Sequence, residues 1–136
     1  MIMQQDVYYG RLKLEGEDHK LTVSDAFNYA ASLVRFKRFE EARSLMRKWM
    51  PVSQRVLGAN HDFTLRMRAL YAQALYLDAS ATLDDLREAV TTLEDARRIA
   101  LRVFGGAHPL TGGLGRDLCK ARFTLSIRET PSPGSA

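Results

Sequence analysis

The chain has 136 residues, of which 46% are apolar and 26% charged, the proportions of a soluble globular domain. Its net charge of +4 is carried by Lys and Arg interleaved with Asp and Glu, a pattern typical of solvated helix faces rather than of a nucleic-acid site. Cys119 is the only cysteine, which excludes an intrachain disulfide and suits a reducing, cytoplasmic compartment. No stretch resembles a secretory signal or a membrane span. We therefore expect no membrane and no nucleic-acid partner.

The first predicted element is a helix over residues 1–15, which leads into a ten-residue motif found three times. The copies KLEGEDHKLT, RVLGANHDFT and RVFGGAHPLT occupy residues 13–22, 55–64 and 102–111. Their histidines are 42 and 47 residues apart, a period typical of helical solenoids. Because the motif ends a repeat, the first helix is either the remainder of a preceding repeat or an N-terminal cap.

Each copy of the motif contributes a Gly, a His and a Thr to a structural repeat signature. The glycine follows a predicted helix end, where a left-handed C-terminal cap is the simplest interpretation. The histidine is expected to hydrogen-bond the loop between hairpins. The nine signature residues are Gly16, His19, Thr22, Gly58, His61, Thr64, Gly105, His108 and Thr111.

The first hairpin is predicted over residues 23–36 and 39–56, where apolar residues recur at helical spacing. Small residues at Ala30 and Ala42 allow the two helices to approach within about 8 to 10 Å. Pro51 lies inside the second helix and is expected to kink or shorten it near Trp49.

The second hairpin is predicted over residues 63–78 and 83–103. Ala72 and Ala89 repeat the positions of the two small residues, so the five extra residues of the longer period fall between them. Thr82, followed three residues later by Asp85, indicates a capping box and a helix start at Leu83.

The third unit is predicted to be a single closing helix that begins at Pro109. Three glycines near its start each cost about 1 kcal/mol relative to Ala, so its first turn is expected to fray. Cys119 lies eleven residues after its histidine, as Ala30 and Ala72 do, and is therefore expected to be a small core residue. The boundaries are 1–15 for the partial helix, 16–128 for the repeat domain and 129–136 for a disordered tail.

Paired helices with small residues at Ala30 and Ala42, a Phe-Glu-Glu-Ala start at residues 39–42, and a linking Val-Leu-Gly-x-x-His-x-x-Thr-Leu at 56–65 resemble tetratricopeptide repeats of the kinesin light chain type. This resemblance implies an all-α fold, a right-handed superhelical solenoid of helical hairpins. The implied solenoid contains two complete repeats with partial capping helices at each end. The resemblance also implies a kinesin-light-chain-like scaffold or adaptor.

In proteins of this type, the first helix of each hairpin lines a concave groove that receives a peptide. An Asn just before a Tyr-Ala pair often contacts the ligand backbone; Asn28 stands there in unit one, whereas Leu70 does in unit two. Arg35 and Arg66 favour an acidic peptide. That these positions are merely solvated is an equally good interpretation. The expected peptide-binding residues are Asn28, Arg35, Arg66, Gln73 and Tyr76.

The predicted function is a non-catalytic protein–protein interaction module with no cofactor and no metal. The three histidines should lie about 10 Å or more apart, whereas zinc needs each nitrogen within about 2.1 Å. Neither a His nor an Asp is placed to activate Cys119 as a nucleophile. The alternative is a truncated structural fragment of a longer repeat protein, with little independent binding because two hairpins make a shallow groove. The oligomeric state stays open.

Overall fold

The computed structural model describes residues 2–16 and 20–130. These residues form six α-helices, and no strand occurs among them, as predicted for an all-α solenoid. The helices are α1 (Ile2–Glu15), α2 (Lys20–Arg35), α3 (Phe39–Val56), α4 (Asp62–Tyr76), α5 (Leu83–Phe104) and α6 (Pro109–Glu129).

The helices are arranged in two layers. Each helix packs against the next one in the chain, and α4 also contacts α2 and α6. The inner layer therefore consists of α2, α4 and α6, which touch one another in sequence. The outer layer consists of α1, α3 and α5. Such stacking of hairpins, in which each unit contacts only its neighbours, is the architecture of a helical repeat solenoid.

The predicted hairpins are confirmed to within three residues at every helix end. The capping box is also present, because the Thr82 hydroxyl accepts from the Asp85 backbone N–H at 3.1 Å and the Asp85 carboxylate accepts from the Thr82 N–H at 3.0 Å. The five extra residues lengthen both the loop of hairpin two and the start of α5. That loop spans residues 77–82, compared with 36–38 in hairpin one.

The core runs through both layers and is centred on small residues at the helix crossings. Ala30, Ala42, Ala72 and Ala89 are fully buried, as their repeated positions predict. Trp49 is fully buried too, and its indole N–H donates to the Tyr8 hydroxyl at 2.9 Å. This bond satisfies the one polar group of a large core side chain and ties α1 to α3.

The expectations that Pro51 shortens α3 and that the glycines fray α6 are wrong. Pro51 does not shorten α3, which continues to Val56 because Val52 and Ser53 beyond it are buried in the core. The glycines do not fray α6, which begins at Pro109 and buries Leu110 in its first turn. In both helices tertiary packing outweighs local propensity, as is usual for helices in folded proteins.

The expectation that Cys119 belongs to the core is also wrong, because its side chain is exposed. Ala30 and Ala72 are buried by the second helix of their own hairpins, α3 and α5. No helix within the described residues covers the corresponding side of α6. The neighbouring Leu118 faces the core instead.

The linker glycines have the positive φ that the prediction requires, although Gly105, with ψ at 165°, is not in the left-handed helical conformation expected of it. Gly16, Gly58 and Gly105 have φ values of 81°, 103° and 85°, a region that side chains larger than hydrogen strongly disfavour. None of the helices in the described part of the chain is long and apolar enough to cross a membrane. The tail expected at 129–136 falls largely outside the described residues, although Glu129 itself belongs to α6.

Candidate peptide-binding groove

Two signature histidines determine where inner-layer helices begin. The Nδ1 atoms of His61 and His108 accept from the backbone N–H groups of Phe63 and Leu110, each at 3.1 Å. Both histidines are therefore N-caps, which satisfy amides that no helical carbonyl can reach. The expected hydrogen bonds to the loop are therefore replaced by bonds to the first turn of the following helix, and His19 lies outside the described residues.

The signature threonines are buried beside the preceding outer-layer helix. The Thr64 hydroxyl lies 2.8 Å from the hydroxyl of Ser53 in α3. Thr22 and Thr111 are equally buried, but their hydroxyls have no hydrogen-bond partner among the described residues. At the position of Ser53 the next outer helix has Ala100, which offers no hydroxyl to Thr111.

The inner layer encloses a pocket of about 260 Å³ between α2, α4 and α6. Its wall is mainly apolar, and Phe27 from α2 meets Phe63 edge-on with ring centroids 5.8 Å apart. Arg66, Gln73 and Asp117 supply the polar part of the lining. Apolar lining with a few polar groups is typical of ligand sites, and this volume fits one or two side chains rather than a large molecule. The apolar lining residues are Phe27, Ala69, Leu70, Pro109, Leu110 and Leu114.

Asp117 of α6 organises the polar end of this pocket. Its carboxylate accepts from the Tyr76 hydroxyl at 2.7 Å and from the Gln73 amide at 3.0 Å. Burial, together with this carboxylate, raises the pKa of Tyr76 far above its ordinary value. Sequence spacing did not identify Asp117, because the bond joins residues more than forty positions apart. The only sequence signal for Asp117 was that it is a polar residue on the inner side of the closing helix.

The five expected peptide-binding residues fall into two groups. Arg66 and Gln73 line the pocket, and Tyr76 joins them through Asp117. Asn28 and Arg35 are exposed on α2 and lie outside the pocket wall. Tyr76, which was expected to contact the peptide, is buried, with only 6% of its surface exposed.

The charge at the groove differs from the two free cations inferred from the sequence. The Arg66 guanidinium bonds the carboxylate of Asp62 one helical turn earlier. Arg35 has no hydrogen bond or ion pair among the described residues. The described chain therefore has an exposed, unpaired guanidinium on α2 outside the pocket, and a carboxylate of α6 in the pocket wall.

A second polar cluster lies on the outer side of α4. The Tyr71 hydroxyl donates to the Glu88 carboxylate at 2.5 Å and accepts from the Arg47 Nε at 3.2 Å. Burial, followed by the bond to Glu88, raises the pKa of Tyr71. These residues line a cavity of about 600 Å³ between α3, α4 and α5. Within the described residues, no group of three or more His, Cys, Asp or Glu could hold a metal ion.

Comparison with known proteins supports the architecture from an independent direction. Residues 28–62, which cover the second half of α2, all of α3 and the following linker, match the family model described as tetratricopeptide repeat. No curated protein matches the chain. Repeats of this family generally mediate protein–protein interaction and are non-catalytic. The match and the six-helix hairpin architecture together support a tetratricopeptide repeat protein.

Proposed function

We propose that this chain is a non-catalytic interaction module that binds a peptide segment of a partner protein along its inner layer. The observation that carries the proposal is the pocket of about 260 Å³ at the junction of α2, α4 and α6. Its apolar wall suits one apolar anchor side chain of the peptide. Arg66 and Gln73 line the same pocket and can contact the peptide next to that anchor. In this proposal Tyr76 acts indirectly, because its hydroxyl donates a hydrogen bond to Asp117 and so holds that carboxylate in the pocket wall.

The preferred peptide carries an acidic residue on the α2 side of its anchor. Arg35 is exposed and unpaired in the described chain, and Asn28 lies seven residues before it, on the same side of α2. An exposed guanidinium recognises carboxylates by paired N–H donors. Asp117 disfavours an acidic residue at the α6 end, so the preference should depend on the position of the charge. The 42-residue period and the resemblance noted above support a kinesin-light-chain-like adaptor.

Titration of labelled peptides tests the proposal. A peptide with a Leu anchor and Glu residues before it, its counterpart with Lys, and a version with Ala in place of Leu are compared at low and high salt. We expect the acidic Leu peptide to bind best, in the micromolar range or weaker at about −8 kcal/mol or less favourable. Its binding should weaken with salt, because exposed charges are screened beyond about 8 Å.

Two variants separate the anchor from the charge. Ala69→Leu fills the pocket and should weaken every Leu-anchored peptide, whereas Ala107→Leu in the exposed linker before α6 is its matched control. The Arg35→Glu, Arg66→Glu double variant should remove the preference for the acidic peptide. Equal binding of all peptides to all variants would reject the groove. That result would favour the alternative hypothesis, in which the chain is a structural fragment with little independent binding.

A further inference from the structure

The side of α6 that faces away from α4 forms a second cavity with α5, and its lining is strongly basic. This cavity of about 680 Å³ is lined by Arg97 of α5 and by Arg116, Lys120 and Arg122 of α6. No Asp or Glu is among the described residues that line it. Its walls therefore concentrate positive charge, which draws anions into a concave site.

The glycines at the start of α6 make room for two of these cations. A Cβ atom on Gly115 would lie 3.3 Å from the Nε of Arg97, and one on Gly112 would lie 3.4 Å from an Nη of Arg116. Gly112 and Gly115 are three residues apart and are therefore neighbours on one face of the helix. Each of these two guanidinium groups therefore lies against a position of α6 that has no side chain.

Three of the four cations are not neutralised within the described chain. Arg122 bonds the Glu94 carboxylate at 3.0 Å. Arg97, Arg116 and Lys120 make no hydrogen bond or ion pair with any described residue. Between α3 and the loop after α4, by contrast, Arg43 is satisfied by Asp78. A concave site with three unpaired cations is suited to a ligand that supplies the missing negative charge.

A buried hydroxyl in the same cavity points to the same conclusion. Thr111 lines the cavity and is 2% exposed, yet its hydroxyl has no hydrogen-bond partner in the part of the chain that the structure describes. The equivalent Thr64 is satisfied by Ser53, a residue that Ala100 replaces in the third unit. Leaving a buried hydroxyl unpaired is unfavourable, so a ligand that reaches this hydroxyl with an acceptor oxygen is favoured.

We propose that this cavity binds a phosphoserine or phosphothreonine in a segment of a protein partner. A phosphomonoester carries a charge of about −1.5 to −2 and three acceptor oxygens, which match two guanidinium forks and an ammonium better than one carboxylate does. The cavity is far larger than a phosphate group, so the flanking peptide occupies the rest of it. The site lies on the opposite side of α6 from the peptide groove and is independent of it.

Heteronuclear NMR of the whole chain provides a direct test, because glycine amides are resolved from most others. The probes are a fluorescein-labelled Gly-Ser-Ala peptide with one phosphoserine, its unphosphorylated form and inorganic phosphate. We expect the phosphopeptide to shift the amides of Gly112 and Gly115, which line the cavity, and to leave those of Gly10 and Gly58 unchanged. Fluorescence anisotropy should show at least ten-fold weaker binding of the unphosphorylated peptide.

Variants test which cations are responsible. Arg97→Gln with Arg116→Gln should weaken phosphopeptide binding at least ten-fold, and Arg98→Gln with Arg102→Gln, an equal change of charge elsewhere on α5, should have little effect. Gly115→Ala should displace Arg97 and weaken binding while raising the melting temperature, which excludes unfolding as the cause. If both double variants lose binding equally, or if inorganic phosphate binds as tightly as the phosphopeptide, the proposal is overturned.

Discussion

The two sides of α6 differ in burial and in the pairing of their charged groups. The side that faces α4 places Leu114 in the core and satisfies Asp117 with two donors from α4. The side that faces away has Gly112 and Gly115, unpaired Arg116 and exposed Cys119. A repeat position is therefore consistently buried only where a neighbouring helix covers it.

The same lesson applies to the signature threonine. Its hydroxyl is satisfied in unit two, where α3 offers Ser53, and is unpaired in unit three, where α5 offers Ala100. One residue in the neighbouring helix therefore changes a satisfied structural position into an unsatisfied one. The unsatisfied copy is the one that lines the basic cavity.

The largest expected effect comes from the core side of α6. Leu114 is 1% exposed, so Leu114→Ala should lower the free energy of unfolding by about 2–5 kcal/mol through lost burial and a residual cavity. Phe123 is 67% exposed on the same helix, and Phe123→Ala should change stability by less than about 0.5 kcal/mol. Urea denaturation followed by circular dichroism measures both. Similar losses would mean that the two sides of α6 do not differ as described.

Removal of Asp117 should have the next largest effect. Asp117→Ala leaves the buried Tyr76 hydroxyl without its acceptor, and a hydrogen bond to a charged group contributes about 1.5–3 kcal/mol. The control is Asp95→Ala, which removes a half-exposed carboxylate 3.8 Å from Arg68. Such surface pairs contribute about 0–1 kcal/mol. Thermal melts that rank the two variants in the reverse order would contradict the role given to Asp117.

Alkaline pH should weaken the same contact to a smaller extent. Burial and then the bond to Asp117 raise the pKa of Tyr76 above its ordinary value of 10.0. Below pH 10 the phenol is protonated in both states, whereas above pH 10 only the unfolded chain releases its proton, so stability falls as pH rises. The loss amounts to about 1 kcal/mol between pH 10 and pH 11. Tyr76→Phe should show a shallower decline in urea titrations at these two values; an identical decline would show that Tyr76 is not responsible.

The smallest expected effect is a gain in stability. Thr111→Val replaces an unpaired buried hydroxyl with a methyl group of similar shape and should raise the free energy of unfolding by about 1 kcal/mol. Thr64→Val removes a hydroxyl that bonds Ser53 and should lower stability instead. Calorimetry of the two variants shows directly whether each substitution raises or lowers the stability. Changes of the same sign would show that the two threonines have equivalent surroundings.

The sequence by itself determined the six helices, the hairpin order and the linkers. These features depend on interactions within a few residues: a positive φ at Gly58, an N-cap at His61 and a capping box at Thr82. Each can be recognised from local spacing because its partner is at most three residues away. The period of 42 and 47 residues then placed the small residues at both helix crossings.

Only the tertiary structure decided which polar residues meet. The partners of Asp117 lie 41 and 44 positions earlier, and nothing in the helical spacing of α6 indicates them. Cys119 and Ala72 share a repeat position but differ in burial, because α5 covers one and no described helix covers the other. The basic cavity depends on the same uncovered side of α6. Local sequence specifies helices and their ends, whereas burial and pairing depend on which neighbour each helix face receives.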